Sequence, residues 1–319
     1  MGSCCVLGGS GFVGSRLVAR LANAGYQVTV PTRDPERCRH LRVLPTVRVV
    51  HGDIHAPETL KSVLSGADVA INLVGILNEV GRDGTGFRRA HVELAGTLIA
   101  ACTVNRVQRL VQISALNASS PEMPHDTTSY YLRSKGEAEA LLRASRLRWT
   151  ILQPSVIFGA GDSFLNRFAG LLRAVPLALP LAMPQARFAP VHVDDVVEAI
   201  VRVLREPAAA GRTYQLCGPE IYTLLELVQM VAETLGLRRQ VIGLPRSISR
   251  LQAAIMDFLP GKPFSTDNFR SLLTDSVGSA DGFRELGITP RPLRPSLADA
   301  LGGSGLTRIR DNYRKRAGR

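Results

Sequence analysis

Tyr131 and Lys135 stand four residues apart in a stretch, 130–145, patterned as a helix, so their side chains share one face. Tyr130 is five residues from the lysine and points elsewhere, which makes Tyr131 the partner. A tyrosine with an ordinary pKa near ~10 is a poor base at neutral pH. A neighbouring ammonium favours the phenolate and allows proton exchange with a hydroxyl or carbonyl. Ser114 closes the apolar run 109–114, where a hydroxyl at a strand end can hold the same oxygen. The plainer alternatives are an amphipathic helix face for the pair and a turn cap for the serine. Only four of the 39 basic residues are lysines, so an ammonium at position 135 stands out where arginine is the rule.

These groups need a scaffold, and the first element of one is explicit. Cys4-Cys5-Val6-Leu7 reads as a buried strand, followed at once by Gly8-Gly9-Ser10-Gly11-Phe12-Val13-Gly14. Leu17, Val18 and Leu21 continue at helical spacing, and 27–31 alternates as a second strand. Gly8 allows a tight turn, and Gly11 lets a pyrophosphate approach the backbone. Gly14 lets the helix pack against the sheet, while its start at Phe12 and Val13 faces the negative charge. Three glycines alone fit any strand-to-helix turn; the strand–helix–strand context makes this one a dinucleotide site.

A dinucleotide lacking a 2′-phosphate is ordinarily held by a carboxylate at the end of the second strand. Here that strand ends in Pro31-Thr32-Arg33-Asp34, and a guanidinium at Arg33 can clamp a phosphate. The cofactor expected is therefore NADP(H), with NAD(H) the lesser candidate. In the alternative, Arg33 lies in solvent while Asp34 caps the next short helix. Asp53, after the third strand, is placed for the adenine or else for an ordinary turn.

Strand-like runs at 3–7, 27–31, 47–51, 69–74, 109–114 and 149–153 alternate with helical patterns, notably 87–104 and 130–145. The spacing predicts an α/β fold, a doubly wound parallel (Rossmann) sheet with a smaller, discontinuous C-terminal lobe. Residues 1–160 form the nucleotide domain, with 186–218 returning to it. Residues 161–185 and 219–307 form the second lobe, ending in a tail at 308–319.

The 319 residues carry a formal charge of +12, mostly as arginine. No nucleic-acid motif accompanies that charge, so no nucleic-acid partner is expected. No apolar run is long enough to span a bilayer. With no secretory signal ahead of the first strand, and five cysteines lacking any C-x-x-C pair, a cytoplasmic chain with reduced thiols and no metal site is expected. Two segments leave a membrane open. Ile248, Leu251, Ile255 and Phe258 form one stripe within 246–259, which fits a helix covering the smaller lobe or an interfacial helix. The tail gathers Arg308, Arg310, Arg314, Lys315, Arg316 and Arg319 against Asp311, a frayed end or a contact for anionic lipid.

Taken together, Gly8-x-x-Gly11-x-x-Gly14, Asn72-Leu73-Val74-Gly75, Ser114 and Tyr131-x-x-x-Lys135 resemble the short-chain dehydrogenase/reductase superfamily in its extended or atypical branch. Pro154-Ser155-Val156-Ile157-Phe158-Gly159, Val191-His192-Val193-Asp194-Asp195 and Tyr214 to Glu220 extend the match over nearly the whole chain. Ile113-Ser114-Ala115-Leu116, Gly161-Asp162-Ser163-Phe164 and Leu259-Pro260-Gly261-Lys262-Pro263-Phe264 are similar to the family of the 39-kDa accessory subunit of respiratory complex I and its bacterial relatives.

The resemblance implies NADPH binding, with Leu73, Val74 and Gly75 on the ribose side and Pro154, Val156 and Ile157 beside the nicotinamide. Tyr131 and Lys135 would also touch the cofactor. It further implies a peripheral place on the inner face of the membrane, near quinone chemistry and respiratory-complex contacts. A reductase acting on a quinone-related or other apolar carbonyl is the first expectation. A non-catalytic, NADPH-loaded accessory subunit or assembly factor is the second, and a nucleotide-sugar epimerase or dehydratase the third.

Overall fold

A computed structural model describes residues 2–118, 129–259, 262–278 and 281–302. The basic tail at 308–319 and the Pro260-Gly261 step lie outside the described residues.

The first unit is built on a seven-stranded parallel sheet. β1 (Ser3–Leu7), β2 (Gln27–Thr32), β3 (Val47–His51), β4 (Val69–Asn72), β5 (Arg109–Ile113) and β6 (Arg148–Pro154) are joined by a last strand, Arg212–Leu216. Their spatial order is Arg212–Leu216, β6, β5, β4, β1, β2, β3, and every pairing is parallel. The order reverses between β1 and β4, and sheets of this kind bind ligands beyond the strand ends at that reversal. A strand covered on both faces must be apolar nearly throughout, and the last four residues of β1 are buried. Cys5 and Leu7 share a core with Leu60, Leu94, Leu98, Leu110 and Ile151. Each such aliphatic side chain contributes roughly 1.5–3 kcal/mol. Burial pushes the Cys4, Cys5 and Cys102 thiols up to about 12, which leaves them unreactive packing groups.

α1 (Phe12–Asn23) lays Leu17, Val18 and Leu21 on the sheet, and α2 (Pro57–Val63) adds Leu60 and Val63. The helix expected over 87–104 is not continuous. It opens with α3 (Thr85–Phe87), widens into a π-helical turn over Arg88–Glu93, and resumes as α4 (Leu94–Val104). The extra residue in that turn lets His91 be buried on a helix whose neighbours Arg88 and Arg89 face solvent. α5 (Tyr130–Ala144) starts at Ser129, whose hydroxyl accepts the Leu132 N–H at 3.3 Å.

Besides residues up to Pro154, the first unit takes in Val196–Leu216 and a short segment ending at Ile288. Gly282 explains the last return: a Cβ there would lie 2.4 Å from the Gln215 carbonyl oxygen, so only glycine lets that segment close on the edge strand.

The second unit comprises Ser155–Asp195, Cys217–Gly278 and the described chain from Thr289 onward. Its core sets Leu165, Ala169 and Leu172 against Leu227, Val228 and Val231. The Asp162 carboxylate accepts the N–H groups of Gly159, Phe164 and Leu165, which fixes the start of helix Leu165–Ala174. Arg291 ties together Asp194 at 2.8 Å and Asp195 at 3.3 Å. Two of the sequence motifs thus serve to anchor helix starts.

Candidate active site

Steric necessity explains the glycines. Gly8 has φ +77°, the left-handed region that favours glycine. A Cβ on Gly14 would sit 2.2 Å from the Gly8 carbonyl oxygen and 2.6 Å from Gly9 Cα, so the helix could not start where it does. No side chain caps α1, and its first turn holds no acidic residue. Its leading N–H groups, at Phe12, Val13 and Gly14, therefore form a donor cluster suited to a phosphate. The Gly8 backbone also backs closely on Leu73 and Val74 just beyond β4, where a Cβ would be 3.2 Å from the Leu73 carbonyl carbon. Gly8, Leu73 and Val74 thus come together at the strand-order reversal, and the residues present fit a dinucleotide.

Lys135 is buried on α5, and its Nζ donates to the Val74 and Ile113 carbonyl oxygens, each at 3.3 Å. It bridges the carboxyl ends of β4 and β5, one residue before Ser114. Gly75 lies directly over it: a Cβ there would be 3.3 Å from Nζ. Burial pushes the ammonium down to about 8, and the nearby Glu139 carboxylate pulls it partly back. The Ser114 hydroxyl is buried and has no hydrogen-bond partner among the described residues. Such an orphan costs roughly 1–3 kcal/mol, a cost a bound oxygen would remove.

Tyr131 and Tyr130 face different neighbours. Tyr131 packs edge-on against Phe87 and His91, with ring centroids 6.0 and 5.7 Å away. Tyr130 packs on the Gly84 turn, where a Cβ would meet its ring at 2.7 Å.

His91 is a site residue that the sequence alone did not expose, because a lone histidine in an apparently continuous helix carries no signal. The Ser134 hydroxyl donates to the Tyr131 carbonyl at 2.8 Å, so at 2.7 Å it accepts from His91 Nδ1–H. His91 Nε2 in turn accepts the Ile76 N–H at 3.3 Å. This arrangement requires the neutral ring, and burial, helped by Lys135, pushes its pKa down to about 2. His91 thereby joins the loop after β4 to the turn of α5 that carries Tyr131.

The remaining candidates are more scattered. Arg33 is exposed just past β2, while Asp34 is turned to the following short helix, accepting the Glu36 and Arg37 N–H groups. Asp53 accepts the His55 N–H at 3.1 Å in the turn after β3. The Gly52 N–H donates to the Thr32 carbonyl, so Arg33 and Asp53 flank one β2–β3 edge. The Pro154 carbonyl accepts the Leu116 N–H, which places Pro154 at the β5–β6 edge with Ser114. Val156 and Ile157 belong to the second unit, where Val156 packs on the core and Ile157 pairs with Val191.

A family model described as NAD(P)H-binding matches residues 8–164. The chain is 30% identical over 306 residues to NADH dehydrogenase (ubiquinone) 1 alpha subcomplex subunit 9, mitochondrial, of Arabidopsis thaliana, covering 91% of this chain and 74% of that protein. It is 29% identical over 244 residues to the ceramide reductase of Caulobacter vibrioides, covering 76% and 74%. Among solved structures, a double mutant of the dTDP-glucose 4,6-dehydratase from Streptomyces venezuelae with NAD bound shares the fold. Its TM-score is 0.72 over 93% of this chain and 95% of that one, at 22% identity. Glycine turn, sheet order and sequence similarity define an NAD(P)-binding protein of the short-chain dehydrogenase/reductase type. Within that class, the chain belongs to the family of the 39-kDa accessory subunit of complex I and its bacterial relatives.

Proposed function

We propose that this chain is an NADP(H)-dependent reductase of an apolar, quinone-related carbonyl compound, with Tyr131, Lys135 and Ser114 performing the proton chemistry. The observation that carries this reading is the buried Lys135 ammonium one helical turn from Tyr131, beside the unpartnered Ser114 hydroxyl. The nicotinamide, when bound, supplies the hydride. As the substrate carbonyl becomes an alcohol, Tyr131 gives its phenolic proton to the oxygen, and the Lys135 charge stabilises the phenolate left behind. A pKa of about 8 keeps Lys135 mainly charged at neutral pH. Ser114 donates to the same oxygen and orients it.

Gly8, Gly11 and Gly14, with the Phe12 and Val13 N–H groups, would hold the pyrophosphate, and Asp53 the adenine. Leu73, Val74 and Gly75 would line the ribose, and Pro154, Val156 and Ile157 the nicotinamide. Arg33 supports NADP(H), since Asp34 is committed to its helix and does not offer a carboxylate to a ribose.

Kinship with complex I subunits supports a second reading, an accessory subunit carrying NADPH as a structural ligand beside the membrane. Oxidation of NADPH by a short-chain quinone or a long-chain ketone separates the two. Turnover that drops by about 10²–10⁴ in Tyr131→Phe is expected. An unchanged rate removes the catalytic assignment. Nucleotide released only on unfolding, with no acceptor able to oxidise it, favours the accessory role. In binding titrations, Arg33→Asp should weaken NADPH more than NADH, by about tenfold or more. Equal losses would remove Arg33 from the 2′-phosphate.

A further inference from the structure

His91 is a titratable group that the proton chemistry leaves unused, although it is buried within the candidate site. A histidine ring in a closed interior is satisfied only when each nitrogen meets a partner of the right kind. Here both ends are fixed by backbone groups. At one end the Ile76 N–H can only donate, and it meets Nε2 at 3.3 Å. At the other the Tyr131 carbonyl can only accept, and it takes the Ser134 hydroxyl proton at 2.8 Å. The Ser134 oxygen is then left to accept from Nδ1–H at 2.7 Å. The two ends impose the same tautomer, with the proton on Nδ1. The hydrogen bonds run in one direction, from Ile76 to Tyr131.

The segments so joined are the two that the chemistry needs in register. Gly75 lies between Lys135 and His91: a Cβ there would be 3.3 Å from Lys135 Nζ and 3.9 Å from His91 Nε2. Lys135 holds the Val74 carbonyl on one side of that glycine, and His91 holds the Ile76 N–H on the other. Residues 74–76 are therefore gripped at both ends, from α5 and from the π-helical turn. Ser134 falls between Tyr131 and Lys135 in α5, so the chain of bonds ends inside the pair itself. The His91 ring also stands edge-on to Tyr131, with centroids 5.7 Å apart, and limits where the phenol can lie. With its pKa pushed down to about 2, chiefly by burial, the ring exchanges no proton at neutral pH. Its contribution is geometric.

We infer that His91 is a positioning residue that couples the nucleotide seat at Gly75 to the proton donor at Tyr131. A nucleotide that settles the 74–76 loop also fixes, through His91 and Ser134, the turn of α5 that bears the phenol. Alignment of this kind is costly to lose, since a shift of about 1 Å at a reacting group can slow a reaction by about 10²-fold. The inference rests on the proposed nucleotide and reductase reading of this site, and adds to it a residue that acts through its neighbours.

Nitrogen NMR of the imidazoles in the full chain, with His91 identified by its absence in His91→Phe, reads the coupling directly. It should show a neutral His91 ring protonated on Nδ1, and saturating NADPH should move the Nε2 signal. Kinetics supply the second reading. Ser134→Ala keeps the Ile76 bond and should lower kcat about tenfold, with KM for NADPH and for a short-chain quinone unchanged within about twofold. His91→Phe keeps an aromatic ring but severs both ends, and should lower kcat about 10²-fold while weakening NADPH several-fold. A merely structural histidine would lower the melting temperature of both variants and leave kcat per folded molecule at the parent value. That result, a proton on Nε2, or a His91 signal indifferent to bound NADPH would overturn the inference. Failure of NADPH to bind in a direct titration would sink the underlying reading and this inference together. If NADPH binds but no acceptor oxidises it, the reductase reading alone fails, and the spectra still decide the coupling.

Discussion

α5 and the helix Arg246–Met256 both depart from the ordinary sorting of side chains, in opposite directions. α5 buries Ser134, Lys135 and Glu139, whereas the other helix leaves Ile248, Leu251 and Ile255 in solvent. The first departure is met in part from within. Glu139 accepts from Gln153 Nε2 at 2.8 Å and pairs with Arg143 at 2.6 Å, while Lys135 holds two backbone carbonyls. The apolar stripe of the second helix has no such internal cover among the described residues. A buried charge that is only partly compensated, its pKa displaced by burial, points to chemistry at that spot. An apolar face with nothing over it points outward, to a surface. The same kind of anomaly thus carries opposite meanings, depending on whether the fold resolves it.

The largest expected stability effect is on α5. Glu139→Ala strands Gln153 and removes the counter-charge of Lys135, so it should cost about 3–5 kcal/mol in urea denaturation. A loss under 1 kcal/mol would mean this carboxylate is not what offsets the buried ammonium.

Next is Lys135→Met in the nucleotide-free protein. Lys135 titrates near 8 when folded and near 10.5 when unfolded, so below pH 8 the folded state bears the full cost of a buried ammonium. The variant should therefore be the more stable one at pH 7, by up to about 3 kcal/mol. Its advantage should shrink as pH rises from 8 towards 10.5, where the unfolded chain also gives up its proton. A variant less stable than the parent at pH 7 would show that the carbonyl contacts outweigh burial.

The smallest effect belongs to the exposed helix. Leu251→Gln should change stability by no more than about 0.5 kcal/mol, since an exposed leucine gives up little on replacement. A loss near 2 kcal/mol would show that the stripe is covered by the protein itself, and the contrast between the helices would collapse.

Much of the nucleotide half is legible in the sequence. Strand runs expected at 27–31, 69–74 and 149–153 appear as Gln27–Thr32, Val69–Asn72 and Arg148–Pro154, because short apolar runs set between helical patterns leave few other options. Less visible is the π-helical turn: the residues from Phe87 to Val104 keep an apolar pattern that one inserted residue hardly disturbs. His91 therefore gives no sign, in sequence, of its link between the β4 loop and α5. The stripe at 246–259 is also plain in the sequence, but whether it faces inward or outward is not, since a hydrophobic pattern specifies a face and not what covers it.

Local rules suffice for what the sequence determined by itself: the glycine turn, the alternation that makes a parallel sheet, and the four-residue spacing that puts Tyr131 and Lys135 on one side of a helix. Those features depend on backbone sterics and on neighbours within a turn or two. Only the tertiary structure decided that Lys135 is sealed between the carbonyls of Val74 and Ile113, that Ser114 is buried without a partner, and that Ile248, Leu251 and Ile255 stay uncovered. Each of these is set by segments scores of residues away, and burial, the quantity that moves a pKa or exposes a face, exists only once those segments have met.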